Sequence, residues 1–151
     1  MFRNGCEATT GVLVHQDVVE SVEAQREKEF DGGPSALPSG VNINASAAEA
    51  LRQVKHAKIP KGGWVGGDAW FGSALVAVML MTLMGAYSTW IIKNNTHLYP
   101  KAQLLALLKA RGGGAIKVGT WVSMTLAIGG AKMAAVAFAW SKKGVPYFIT
   151  T

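Results

Sequence analysis

Residues 70–92 read WFGSALVAVMLMTLMGAYSTWII and contain no charged residue and no proline. A second apolar stretch, residues 118–140, reads VGTWVSMTLAIGGAKMAAVAFAW and carries one charge, Lys132. A helix rises about 1.5 Å per residue, so each stretch is long enough for a hydrocarbon core of about 30 Å. Tryptophans stand at or near both ends of each stretch, as they do at membrane interfaces. The pattern therefore predicts two transmembrane helices, over 70–92 and 118–140.

These stretches divide the chain into three predicted parts. Residues 1–43 form an extended acidic tail and linker, with two prolines and three glycines between positions 31 and 40. Residues 44–69 contain a short amphipathic helix, over 44–58, and a Gly-rich entry. Residues 70–151 form the hairpin with a basic loop and a short C-terminal tail. The predicted fold class is an all-α membrane protein, a two-helix transmembrane hairpin whose extended N-terminal tail carries short helices. A soluble helical domain with two buried central helices is the alternative.

Three shorter segments carry local helix signals. Asn44 or Ser46 is the expected N-cap of the helix over 44–58, and Ser46 and Glu49 have the spacing of a capping box. Residues 102–110, AQLLALLKA, are strong helix formers that follow Pro100 and precede three glycines. Between residues 12 and 22 the apolar positions allow one face of a short helix.

Charge is distributed unevenly along the chain. Residues 1–40 carry a net charge of −4, residues 41–69 carry +2 and residues 70–151 carry +8. The basic residues flank the apolar stretches, where anionic lipid headgroups are the simplest partner. Basic segments interleaved with base-stacking aromatic residues are not evident, so the sequence predicts no nucleic-acid partner.

Two features of residues 118–140 suggest contacts with other molecules. A lysine at mid-membrane depth costs a few kcal/mol, so Lys132 is expected to contact a carboxylate or carbonyl of another subunit. A lipid headgroup or cofactor contact and a proton-relay role are the alternatives for Lys132. Small residues at four-residue spacing predict a tightly packed helix face. They are Gly119, Ser123, Ala127, Ala131, Ala135 and Ala139.

The sequence contains no pattern that predicts catalysis. Neither apolar stretch contains a histidine, and the single cysteine, Cys6, allows neither an intramolecular disulfide nor a Cys-based metal site. Residues 111–114, RGGG, lack the Gly-Lys-Ser/Thr of a phosphate-binding loop. We therefore expect a chain that is not an enzyme, with no catalytic residue, no metal site and no cofactor of its own, although a bound phospholipid is compatible with the pattern.

In layout, the chain resembles small accessory subunits of energy-transducing membrane complexes, which combine a tail, one or two helices and a basic loop. This resemblance implies a non-catalytic supernumerary subunit of a respiratory-chain or ATP synthase complex in the mitochondrial inner membrane. Such a subunit would stabilise assembly through helix packing and tail contacts, with other subunits and membrane lipids as partners. The alternatives are a photosystem subunit in a thylakoid membrane, a homo-oligomeric membrane-shaping or assembly protein, and a lipid- or quinone-handling membrane enzyme subunit.

Overall fold

The chain forms two compact units, Met1–Lys61 and Gly62–Thr151. In the first unit, strand β1 (Phe2–Cys6) pairs antiparallel with β2 (Leu13–Val18), and helix α1 (Ala45–His56) contacts β2. The helix predicted near residue 46 is confirmed, whereas a strand occupies part of the segment predicted as helix between 12 and 22. The predicted linker between residues 31 and 40 lies outside the described residues. The computed structural model describes residues 2–6, 13–18, 43, 45–93, 96, 98–141 and 144–151.

The second unit is built on a five-stranded mixed sheet with the strand order β3-β4-β7-β6-β5. Strands β3 and β4 are parallel, and the remaining neighbours are antiparallel. A parallel pair requires a crossover connection, which the intervening helix provides. In chain order the elements are β3 (Trp64–Gly67), α2 (Ala74–Met79) with a π-helical turn (Leu80–Met84), β4 (Tyr87–Ile91), α3 (Lys101–Arg111), β5 (Trp121–Ile128), β6 (Ala131–Phe138) and β7 (Tyr147–Thr150).

The first apolar stretch contains a short helix and a strand instead of one membrane helix. The Ser73 hydroxyl caps α2 by accepting a hydrogen bond from the Val76 N–H at 3.1 Å. The helical segment ends at Gly85, whose φ of +64° is the left-handed conformation that favours glycine at a helix end. The chain then enters β4, so the helical part is far shorter than the bilayer.

The second apolar stretch forms the antiparallel β5–β6 hairpin. Gly129 and Gly130 connect the strands with φ values of +57° and +84°. A two-residue connection with positive φ at both positions matches the twist of paired strands, and glycine adopts it without strain. Across the part of the chain that the structure describes, no helix is long and apolar enough to cross a membrane. The predicted all-α membrane hairpin is therefore wrong, and the predicted placement in the mitochondrial inner membrane or a thylakoid loses its basis.

The core of the second unit lies between the two helices and one face of the sheet. Trp90, Ile149 and Ala135 are neighbours across β4, β7 and β6, and all three are buried. Helix α2 contacts β4 and β7, and α3 contacts β5 and β6. Leu104 and Leu108 of α3 are fully buried. The helix predicted over 102–110 is thus confirmed, and two of its four leucines pack in the core, whereas Leu107 is exposed.

Candidate functional site

Several charged residues of the second unit lie at one end of its sheet. Strands β3 and β4 both finish there, and ligands of sheets with parallel strands commonly bind outside the carboxyl ends of those strands. The Ile92 N–H donates to the Tyr147 carbonyl at 2.8 Å, which places the start of β7 at the same end. The β5–β6 register pairs Trp121 with Phe138 at this end too, and it places the Gly129–Gly130 turn at the other. We call the first end the carboxyl edge.

Asp68 follows β3 directly and is exposed at the carboxyl edge. Its Oδ1 atom accepts a hydrogen bond from the Trp70 N–H at 2.8 Å, a contact typical of aspartate in tight turns. The Gly72 N–H donates to the Asp68 carbonyl at 3.2 Å. A Cβ atom on Gly72 would lie 1.7 Å from the Ile91 carbonyl oxygen. Only glycine therefore allows this loop to approach the end of β4 so closely.

Two lysines lie beside this loop at the end of β4. The Lys93 Nζ atom is 4.3 Å from the centroid of the Trp70 ring, a cation–π contact. The Lys101 Nζ atom donates a hydrogen bond to the Lys93 carbonyl and lies 5.3 Å from the Tyr147 ring centroid. Desolvation lowers the pKa of Lys101. These contacts hold two cationic side chains at the edge that carries Asp68.

A buried tyrosine anchors the segment that leads into α3. The Tyr99 hydroxyl lies 2.9 Å from the Val136 carbonyl oxygen and 2.6 Å from the Phe148 carbonyl oxygen, and it donates its proton to either of them. Those two acceptors face each other across β6 and β7. Burial is the main cause that raises the pKa of Tyr99 well above its usual range. The hydroxyl thus remains a neutral donor that fixes the start of α3 beside the carboxyl edge.

Helix α3 begins beside β7 and ends beside β5, so its basic residues extend the site. The Arg111 Nη1 atom donates to the Trp121 carbonyl at 3.0 Å, and its guanidinium carbon lies 5.6 Å from the Trp121 ring centroid. The Thr120 N–H donates to the Lys117 carbonyl at 3.1 Å, which places Lys117 just before β5. The basic residues in or beside the carboxyl edge are Lys93, Lys101, Arg111 and Lys117.

The residues that the sequence suggested as contact sites lie mainly elsewhere. Lys132 is exposed on β6 opposite Ala127, next to the hairpin turn and away from the carboxyl edge. The six small residues do not share a helix face, because they lie in or beside the two strands of a hairpin. They are Gly119, Ser123 and Ala127, which are exposed, and Ala131, Ala135 and Ala139, which are buried.

Sequence reasoning missed Asp68, Trp70 and Lys93 as a group. The signal was present in GGDAWFGS, residues 66–73, where two glycines precede an aspartate and a serine precedes a helix. Asp68 is also the only carboxylate side chain in residues 62–151. Among the described residues, no three side chains of the His, Cys, Asp or Glu type lie close enough together to hold a metal ion. The cationic side chains of Lys93 and Lys101, which lie near Asp68, are of a type that binds anions such as phosphate.

Comparison with known proteins supports the fold and corrects the predicted function. No protein-family model matches the sequence. No curated protein matches it significantly. A solved structure, the cryo-EM structure of a piggyBac transposase synaptic complex with hairpin DNA, is similar with a TM-score of 0.63 and 14% sequence identity. The similarity covers 99% of this chain and 26% of the transposase chain, so this chain spans about a quarter of that protein's length. A sheet-rich fold shared with a DNA-bound transposase does not fit an accessory subunit of a respiratory, ATP synthase or photosystem complex, so the predicted function is wrong. It does not fit the predicted partners in such a membrane complex either.

Proposed function

We propose that residues 62–151 form a DNA-binding unit of a transposase-like protein, with the carboxyl edge as the surface that contacts DNA phosphates. The observation that carries this proposal is the fold similarity, which extends over 99% of the chain to a transposase in complex with hairpin DNA. The positively charged site of this chain supports the same conclusion independently, because its residue types are those that bind phosphate.

The charge of the second unit favours a polyanionic partner. Residues 62–151 contain eight basic residues and one acidic residue, for a net charge of +7. Four of the basic residues lie in or beside the carboxyl edge, whereas Lys132 lies at the other end of the sheet. Lysine and arginine bind DNA by displacing the counterions condensed on its phosphates, and the affinity then falls steeply with salt. The arrangement fits an elongated row of phosphates along one edge.

The chain by itself is proposed to bind DNA without cutting it. Phosphoryl transfer with two metal ions requires several carboxylates around the metals. Asp68 supplies one carboxylate at the end of β3, and residues 62–151 contain no other carboxylate side chain. In a longer protein, further carboxylates from other segments would have to join Asp68 to complete such a centre. Incubating the chain with supercoiled plasmid and Mg²⁺ or Mn²⁺ tests this part, and nicking that disappears in Asp68→Asn would overturn it.

Fluorescence anisotropy with a labelled duplex over a range of salt concentrations tests DNA binding. We expect the logarithm of the association constant to fall linearly with the logarithm of the salt concentration. Each phosphate contact should contribute about −0.9 to the slope of this line. Lys93→Gln should weaken binding and reduce the magnitude of the slope by about 1. Lys132→Gln is the matched control, because it removes the same charge from an exposed position distant from the carboxyl edge.

Two results would contradict the proposal. The first is wild-type chain that binds no duplex at low salt. The second is an equal loss of affinity in Lys93→Gln and Lys132→Gln, since this would mean that only the overall charge matters. Circular dichroism of each variant would show that the fold is intact before the affinities are compared.

A further inference from the structure

Exposed aromatic side chains gather at the β5 end of the carboxyl edge. Trp121 stands opposite Phe138 in the β5–β6 register, and the Phe138 and Trp140 rings meet edge to face at 6.0 Å. Trp140 is 74% exposed and Trp121 is 53% exposed. Arg111 lies against the Trp121 ring. We call these four residues the aromatic cluster. Neither tryptophan is required to fill the core, because the sheet buries its other face.

A cleft adjoins the cluster on the α3 side. It has a volume of about 600 Å³ and is lined by Trp140, Leu105, Ile116, Val145 and Tyr147 among others. The cleft is open to solvent and its walls are mainly apolar, so it offers a surface on which a flat apolar group can lie. The ammonium group of Lys101 lies near the Tyr147 ring, so a cation stands close to one wall. The cleft thus combines flat apolar surface with positive charge nearby.

We infer that the aromatic cluster and its cleft bind the unpaired nucleobases of a single-stranded DNA segment. This inference rests on the proposed function and adds the form of DNA that the site prefers. Every base has a π-face that stacks on tryptophan or on a planar guanidinium, whereas the bases of an intact duplex are stacked on one another. The neighbouring lysines at the carboxyl edge would hold the phosphates of the same strand, which explains why charge and exposed aromatic rings occur side by side.

The charge favours nucleic acid over an apolar peptide as the occupant of the cleft. An apolar peptide gains nothing from a row of cations, whereas a single strand presents bases and phosphates at regular intervals. The only acidic side chain in residues 62–151 is Asp68, which lies beside β3, at the other side of the sheet from β5. The proposed occupant is therefore a short single-stranded segment whose bases leave the stack at the β5 end of the sheet.

The test compares three labelled probes on the full chain: a blunt duplex, the same duplex closed by an unpaired loop, and a single-stranded oligothymidine. Trp140→Ala should weaken binding of the looped and single-stranded probes by about 5- to 150-fold, because the stacking of one base on an aromatic side chain typically contributes that factor. Binding of the blunt duplex should change little. Trp140→Phe retains an aromatic face and should recover a large part of the affinity.

Trp64→Ala is the matched control, since Trp64 is 61% exposed and begins β3 at the opposite end of the sheet. It should leave the affinities for all three probes unchanged. Equal loss of duplex and looped probes in Trp140→Ala would overturn the inference while leaving the proposed DNA binding intact, and so would no loss for any probe. Capture of an apolar peptide by the cleft, with unchanged DNA affinities in Trp140→Ala, would assign it to another ligand. Wild-type chain that binds none of the probes would overturn the inference together with the proposed function.

Discussion

Gly130→Ala should destabilise the protein, and the sign of its effect tests the hairpin directly. The φ of Gly130 is +84°, and a Cβ atom at this position would meet nothing within 4 Å. The cost is therefore one of backbone conformation alone. A left-handed conformation costs an L-residue about 1–2 kcal/mol. Alanine also lowers the conformational entropy of the unfolded chain, which offsets about 0.4–1 kcal/mol of this cost. The net loss should be about 1 kcal/mol, which lowers the melting temperature of a unit of this size by about 4–8 °C.

Thermal unfolding followed by calorimetry, together with urea unfolding, measures this loss. Gly130→Asn is the matched control, because asparagine adopts the left-handed conformation more readily than other non-glycine residues. It should be at least as stable as Gly130→Ala and close to the wild type. If residues 118–140 formed a helix, Gly130→Ala would be more stable than the wild type, because alanine is more favourable than glycine in a helix interior by about 1 kcal/mol. A rise in melting temperature for Gly130→Ala would therefore refute the hairpin.

The remaining predictions concern the anchors of the carboxyl edge. Gly72→Ala should lower the free energy of unfolding, measured in urea, by about 1–3 kcal/mol or more, because the new Cβ atom would meet the backbone of Ile91 and no side-chain rotation relieves that clash. Unchanged stability would show that the loop lies farther from β4. Tyr99→Phe should lose about 0.5–1.5 kcal/mol with the hydrogen bond that the buried hydroxyl donates, whereas Tyr87→Phe, at an exposed position, should lose almost nothing; equal effects would contradict the anchoring role. Because burial raises the pKa of Tyr99, its contribution to stability should be complete below pH ~10 and should decline above it, where the unfolded tyrosine ionises and the folded one stays protonated. The difference in unfolding free energy between wild type and Tyr99→Phe should therefore shrink at high pH, and a constant difference would show that Tyr99 is not buried.

Local signals in the sequence were sufficient to locate two helices. The pattern of residues 44–58 and the run of residues 102–110 predicted α1 and α3 within a few residues of their ends. The Ser46–Glu49 capping box is not the N-terminus of α1, because the helix begins at Ala45 and Ser46 lies inside it. Helix formation depends on hydrogen bonds and side-chain contacts within four residues, so the sequence of the segment contains the required information. Gly112 follows the last residue of α3, so the glycines ended this helix as predicted.

The strands of the second apolar stretch were misinterpreted because two periods coincide. Small residues four positions apart share a helix face, but they also share a strand face, since side chains alternate with a period of two. An apolar run without charges is likewise compatible with a membrane helix or with buried strands. The discriminating signal was Gly129-Gly130 between two runs of similar length, which is a short-range indication of a hairpin.

The site depended on contacts that the local sequence does not specify. Lys93 lies over Trp70 only because β3 and β4 pair in parallel, and Tyr147 joins them only because β7 pairs with β4. The sequence by itself determined the positive charge of residues 70–151, the two helices and the scarcity of carboxylates. Tertiary structure decided which cations share one edge and which tryptophans stay exposed. Strand pairing joins residues far apart in the chain, and its register is fixed by burial of one whole face of the sheet, so no single segment contains enough information to predict it.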